Sequence, residues 1–229
     1  MLVIRNARSA QALGAGSELT DFLVQDGKVA RCGPAGGFES PASSLSHDAH
    51  GGLLLPCFAD IHTHIDKSYV IGETGAVDGD LFAAIERMAL HRAGWTAEQV
   101  AARMQRALGE AWRHGTRALR THLDWFTVAE PLSLAVFEDT RRQWAGRVEL
   151  QAVALAPIDM LARDGVAAGI ARRLAAAGAI MGAFVYRQPE MQSGLEQVFR
   201  AAAEAGIALD FHVDEGLDAD ACGLDAIAD

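Results

Sequence analysis

At 229 residues, half of them hydrophobic and 22% charged, the chain has the composition of a folded globular protein, neither disordered nor fibrous. Thirty acidic against twenty basic side chains give a net charge of -10, which argues against a partner gripped through phosphates. No apolar run nears the ~18 residues of a membrane span, no basic-then-apolar leader opens the chain, and Cys32, Cys57 and Cys222 are too scattered for a disulfide framework, so a cytoplasmic protein with reduced thiols and no nucleic-acid or membrane partner is expected.

The first fifty residues read as β structure. Leu2-Val3-Ile4 is a short apolar run, and Asp26-Gly27 between Phe22–Gln25 and Lys28–Arg31 is a two-residue hairpin signal. Residues 33–51, rich in Gly, Pro, Ser and His, read as loop. This piece is too small to hold a core of its own, so residues 1–51 are expected to form part of a small β domain and residues 52–229 a larger one. Gly52 to Ile61 is an almost unbroken apolar run, which suits a strand buried on both faces. Thr96-Ala97-Glu98-Gln99 has the form of a capping box and opens a helix through Trp112, ended by His114-Gly115. Trp112 and Trp144 fall at apolar helical spacing and are expected in the core.

A recurring unit follows. Gly115, Gly146, Gly178 and Gly206 are 31, 32 and 28 residues apart, and each precedes an apolar run. A glycine ending a helix, then a strand, at about 30-residue spacing is the period of a parallel βα sheet. Five strands result, near 53–61, 116–122, 147–155, 179–185 and 207–213. No G-x-G-x-x-G follows the first, which weakens a dinucleotide-binding sheet. The expected fold class is α/β: a partial TIM-type (β/α) barrel with about five of eight strands, beside the small N-terminal β piece.

The first strand ends Asp60-Ile61-His62-Thr63-His64-Ile65-Asp66. Strand alternation puts Asp60, His62, His64 and Asp66 on one face, where two imidazoles can grip one ion at the end of the sheet that carries active sites in such folds. The fifth strand ends Phe211-His212-Val213-Asp214-Glu215; His212 supplies a third ligand and Glu215 a carboxylate within reach of a water. His122, ending the second strand beside Asp124, lines the pocket or serves a structural role. His91 and His114 read as helix-end residues.

These segments resemble a known family. Leu55-Pro56-Cys57-Phe58-Ala59-Asp60-Ile61-His62-Thr63-His64-Ile65-Asp66-Lys67 is similar to the first-strand motif of the amidohydrolase superfamily. Arg120-Thr121-His122-Leu123-Asp124 and Asp210-Phe211-His212-Val213-Asp214-Glu215 look like its cytosine deaminase branch. The resemblance implies metal ligation by His62, His64 and His212, acid–base work by Glu215, and a substrate wall of His122, Asp124, Leu155 and Pro157. Cytosine enzymes place a pyrimidine-reading Gln near the position of Pro157, so the choice of ring stays open. Two-metal relatives bridge their ions with a carboxylated lysine on the fourth strand; residues 179–186 hold no lysine, and one divalent ion, Zn²⁺ or Fe²⁺, is expected. The unrelated zinc deaminase pattern of H-x-E with P-C-x-x-C is absent.

The expected activity is therefore hydrolytic release of ammonia from a nitrogen heterocycle by a cytoplasmic enzyme that forms a possible homo-oligomer. Hydrolysis of another C–N bond, on a triazine or cyclic amide, is one alternative. The family takes a further pocket His from its sixth strand and an Asp ligand from its eighth, both beyond Asp229. A silent chain is accordingly the other alternative, and a marginal fold that self-associates, keeps metal weakly and turns over poorly is expected of these 229 residues alone.

Overall fold

The structure, a computed structural model, describes residues 1–9 and 18–229. They form two compact units, Met1–Cys57 and Phe58–Asp229.

The first unit is a mixed sheet of β1 (Leu2–Ser9), β2 (Thr20–Gln25), β3 (Lys28–Pro34), β4 (Leu45–Asp48) and β5 (Leu53–Leu54). Its order is β3-β2-β1-β4, and β5 pairs with β1. Asp26 and Gly27 take φ of 51° and 75°, the doubly left-handed turn that the hairpin needs. Strand β4 lies inside the stretch read as loop. It is exposed along its whole length and is ordered by a parallel ladder to β1, so no apolar pattern announced it. The run from Gly52 to Ile61 also divides: β5 ends at Leu54 and the next strand starts at Phe58, because Pro56 between them has no N–H for a ladder.

One buried charge organises this sheet. The fully buried Asp21 carboxylate accepts from Arg5 Nη1, from the Asn6 N–H (2.9 Å) and from the Gly36 N–H (2.8 Å). Burial pushes the Asp21 pKa up, but these donors outweigh it and hold the carboxyl below its usual value. Its contribution is thus complete above the unfolded carboxyl pKa of ~3.9 and is lost as pH falls through the folded value. Asp21→Ala removes the ion pair to Arg5, which keeps the Phe38 carbonyl and Ser40 Oγ, and leaves the Asn6 and Gly36 N–H groups without this acceptor; it is expected to cost about 3 kcal/mol. Urea midpoints across pH 7 to 3 should show the wild type losing stability below about pH 4 and the variant having a shallower acid limb, the remainder coming from other carboxylates such as Asp48 and Asp210 whose pKa values are also lowered.

The second unit runs β6 (Phe58–Thr63), α1 (Ile71–Thr74), α2 (Leu81–Arg92), α3 (Ala97–Arg113), β7 (Thr116–Asp124), α4 (Leu132–Trp144), β8 (Glu149–Pro157), α5 (Ile158–Leu161), α6 (Val166–Ala177), β9 (Ile180–Val185), α7 (Met191–Ala205), β10 (Leu209–Val213) and α8 (Gly223–Ala228). Its sheet is wholly parallel, in the order β10-β9-β8-β7-β6, and curls into half of a barrel. The four helix-ending glycines all take positive φ, as the 30-residue period requires.

The core lies between this sheet and its helices: Val100, Met104 and Leu108 of α3, Leu134 and Phe137 of α4, and Leu174 of α6 are buried. The capping box of α3 forms, with Thr96 Oγ1 accepting from the Gln99 N–H (3.3 Å) and Gln99 Oε1 from the Thr96 N–H (3.0 Å). Trp144 is buried, but Trp112 is 51% exposed. A four-residue step rotates about 40° beyond a full turn, so three steps from Val100 carry Trp112 off the core face.

Close packing is tightest at Gly182 on β9. A Cβ there would meet Val153 Cγ1 at 2.5 Å, the Asp210 carbonyl oxygen at 2.6 Å and the Ala154 carbonyl oxygen at 2.8 Å. Two of these are backbone atoms of neighbouring strands, which cannot swing aside. Gly182→Ala is expected to lower unfolding free energy by about 1–3 kcal/mol, read by chemical denaturation. An unchanged midpoint would mean that β8 and β10 part without cost.

Candidate active site

Strand ends bring four histidines together. One ring nitrogen from each of His62, His64, His122 and His212 lies within 4.8 Å of the others. The ring centroids of His62 and His212 are 4.6 Å apart, and those of His62 and His64 are 5.4 Å apart. His122 comes from β7 and His212 from β10, both near the C-terminal ends of parallel strands. The register of β6 against β7 slips between Asp60 and Thr63, so three residues of β6 span two of β7. Such a bulge re-aims side chains, here around His62. It also ends the simple alternation: β6 stops at Thr63, His64 follows it, and Asp66 lies in the ensuing turn, buried and outside the histidine cluster.

The turn is pinned to β7. Thr63 Oγ1 donates to the Arg120 carbonyl (2.8 Å), and the Ile65 N–H donates to Thr121 Oγ1 (3.1 Å). His64 Nδ1 lies 3.2 Å from the His122 carbonyl oxygen. A carbonyl only accepts, so Nδ1 carries the proton and Nε2 keeps its lone pair. A metal-ligating imidazole is commonly oriented in this way.

Hydrogen bonding separates the four rings. Both nitrogens of His212 are buried and have no partner. Buried polar atoms without partners are rare and point to an absent ligand. His122 differs: its Nε2 faces Asp210 Oδ1 at 3.2 Å and its Nδ1 faces the Thr63 carbonyl at 3.4 Å. Asp210 in turn accepts from Arg120 Nη1 at 2.7 Å. His62, His64 and His212 therefore fit a divalent cation, and His122 is buried and tied to the Asp210–Arg120 pair. Burial, and next the Lys67 ammonium, lower the His64 pKa to about 3. Burial, then the neighbouring His122 and His62, lower that of His212 to about 4. Both rings are neutral at neutral pH, the state that ligation requires.

A cavity of about 240 Å³ opens onto this cluster. Its apolar walls include Leu81, Ile85, Met88, Phe126, Leu155 and Phe184, and its polar groups include Lys67, Arg92, Asp124 and Glu215. Such a volume and lining suit a small flat molecule. Glu215 follows Asp214, whose φ of 54° turns the chain beyond β10 and whose carboxylate accepts from the Gly223 and Leu224 N–H groups, both at 3.0 Å. Asp124 is buried, and both its oxygens are taken by cations: Lys67 Nζ at 2.9 and 3.0 Å, Arg92 Nη2 at 2.8 Å. Pro157, which ends β8, and the buried His122 both lie outside the cavity lining.

The sequence reading did not single out Arg92, Phe126 or Phe184. Position relative to a motif signals none of them; they converge only through the fold. His91 is a helix-end residue, as expected, bonded through Nε2 to Glu73 (2.9 Å) and accepting at Nδ1 from Trp95 Nε1 (2.9 Å). Among the described residues, no helix is long and apolar enough to cross a membrane, and the three cysteines are free.

No family model matches the chain. It is 36% identical over 209 residues to a pterin deaminase of Rhizobium rhizogenes, a match covering 91% of this chain and 47% of that one. Among solved structures, N-isopropylammelide isopropylaminohydrolase from Burkholderia multivorans superposes with a TM-score of 0.76 at 29% identity, over 99% of this chain and 56% of that one. The 5-methylcytosine deaminase from Klebsiella pneumoniae, at 24% identity and a TM-score of 0.79, shares the fold over 99% of this chain and 54% of its own. The chain thus spans about half the length of the relatives it matches. Three strand-end motifs on a parallel half-barrel, together with these matches over almost every residue, make the chain a member of the amidohydrolase superfamily.

Proposed function

We propose that this chain carries the ion-binding part of a hydrolase that removes an amino group from a nitrogen heterocycle, with one divalent ion held by His62, His64 and His212. The observation that carries the reading is the pair of unpartnered His212 nitrogens, buried beside the His62 and His64 imidazoles on a small cavity that also contains Glu215. The chain's likeness to a pterin deaminase and to an N-isopropylammelide isopropylaminohydrolase supports a C–N bond on a ring as the target.

When bound, the ion supplies Lewis-acid activation of water, lowering its pKa toward ~7. All-nitrogen ligation is compatible with zinc or iron. The chain's own residues do the rest. Glu215 takes the water proton on its carboxylate and returns it to a ring nitrogen or to the departing amine. Phe126, Leu155 and Phe184 hold the ring and exclude bulk water. His122, tied to Asp210, braces the histidine cluster. The site belongs to a cytoplasmic enzyme in this reading, with a small heterocycle as its partner.

The test is metal analysis and ammonia release from the full chain with pterin, cytosine, 5-methylcytosine and melamine. Metal binding with ammonia from at least one ring supports the reading; metal binding with none defeats the deaminase assignment for these 229 residues in favour of the silent chain. A second reading, release of an alkylamine from a substituted triazine, is favoured by the Burkholderia structure and is tested by isopropylamine release from N-isopropylammelide.

A further inference from the structure

Two cations share one carboxylate at the wall of the cavity. Asp124 is 3% exposed, and Lys67 and Arg92 both bond to it. The buried Asp66 carboxyl acts on both cations as well, so what this wall offers is hydrogen-bond donors rather than surplus charge. Those donors are not exhausted. Lysine carries three protons, and both bonds of Lys67 go to Asp124. Arg92 Nε is buried and has no partner. The Arg92 guanidinium lies over the Phe126 ring, 4.8 Å from its centroid, which fixes its plane. Lys67, Arg92 and Asp124 all line the cavity, beside the histidines.

We propose that Lys67 and Arg92, held in place by Asp124, form an oxygen-recognition end of the cavity that selects ring substrates bearing an oxo group. The proposal rests on the ring-hydrolase reading above and names the substrate feature that this reading leaves open. An oxo oxygen presents lone pairs to the spare N–H donors. A ring amine in the same place presents N–H groups to N–H groups, and the spare ammonium proton and the buried Arg92 Nε–H then go unanswered. Sites built to hydrogen-bond one group reject an analogue that cannot answer it far more strongly than apolar pockets reject a change of size. Asp124 acts through the two cations and is a positioning residue: without it the ammonium and guanidinium repel each other.

Matched probes of one ring test the assignment. Lumazine carries two ring oxo groups, and 2,4-diaminopteridine carries amines at the same positions. Titration calorimetry on the full chain, with and without zinc, is expected to show lumazine binding at least ~10-fold tighter. Lys67→Met and Arg92→Met should each weaken lumazine about 10-fold, leave 2,4-diaminopteridine nearly unchanged, and leave metal content unchanged. Arg92 sits on α2, which has no buried residue, so Arg92→Met tests the idea even where Asp124→Asn fails to fold. Equal affinity of the two probes in the wild type overturns the proposal, as does equal weakening of both in the variants. Benzoate displacing lumazine would identify a carboxylate site and overturn the oxo assignment. Ammonia release without lumazine selectivity sinks this inference alone; selectivity without ammonia from any amine sinks the deaminase reading alone.

Discussion

Replacing His212 with alanine is expected to lower zinc affinity by more than about 1,000-fold, beyond the 10–100-fold typical of residues that only orient a ligand. The reason is local. His212 brings two buried, unpartnered nitrogens to the cluster, and its burial keeps the ring neutral and ready to donate a lone pair. His62 and His64 come from one short segment and cannot enclose an ion from one side only. His122→Asn makes the control, because the His122 nitrogens already face Asp210 and the Thr63 carbonyl. Its loss should stay within about 10–100-fold. Competition against a zinc chelator with a calibrated affinity reads both. Equal losses in the two variants would make His122 a fourth ligand and overturn the division between ligand and brace.

Glu215→Gln is expected to reduce kcat by about 10²–10⁴-fold on whichever ring proves to be the substrate, while zinc content and KM change little. Glutamine keeps the size and one acceptor of the glutamate but cannot accept and return a proton. Glu215 is exposed at the cavity lip, so the substitution disturbs no core packing. Steady-state ammonia release with metal analysis of the same samples separates the outcomes. A variant within about threefold of wild type would remove Glu215 from proton transfer.

Much of this arrangement is legible in the residues because it is local. A glycine that must take positive φ at each helix end, followed by an apolar run, marks βα units without any knowledge of what they touch. His62, His64 and His212 are readable for the same reason: strand ends in a parallel sheet all open on one side. The missed features depend on distant partners. Exposed β4 exists through its ladder with β1, a pairing across about forty residues. The bulge in β6 that strands Asp66 away from the histidines arises from register with β7. The union of Lys67, Arg92 and Asp124 joins three elements whose spacing obeys no period.

The pairing of Lys67 with Asp124 also bears on how the cavity can be watched. Lys28 and Lys67 are the chain's two lysines. Lys28 stands exposed on the hairpin of the first unit, whereas the Lys67 side chain is 23% exposed and bonded to a carboxylate. An amine-acylating reagent therefore meets two side-chain amines of sharply different reactivity: Lys28 as an internal reference, and Lys67 shielded by its ion pair. A ring molecule seated in the cavity covers Lys67 further and leaves Lys28 untouched. The ratio of the two acylation rates, followed by peptide mass spectrometry, then becomes an occupancy gauge that works on an unmodified chain and needs neither turnover nor a coloured ligand.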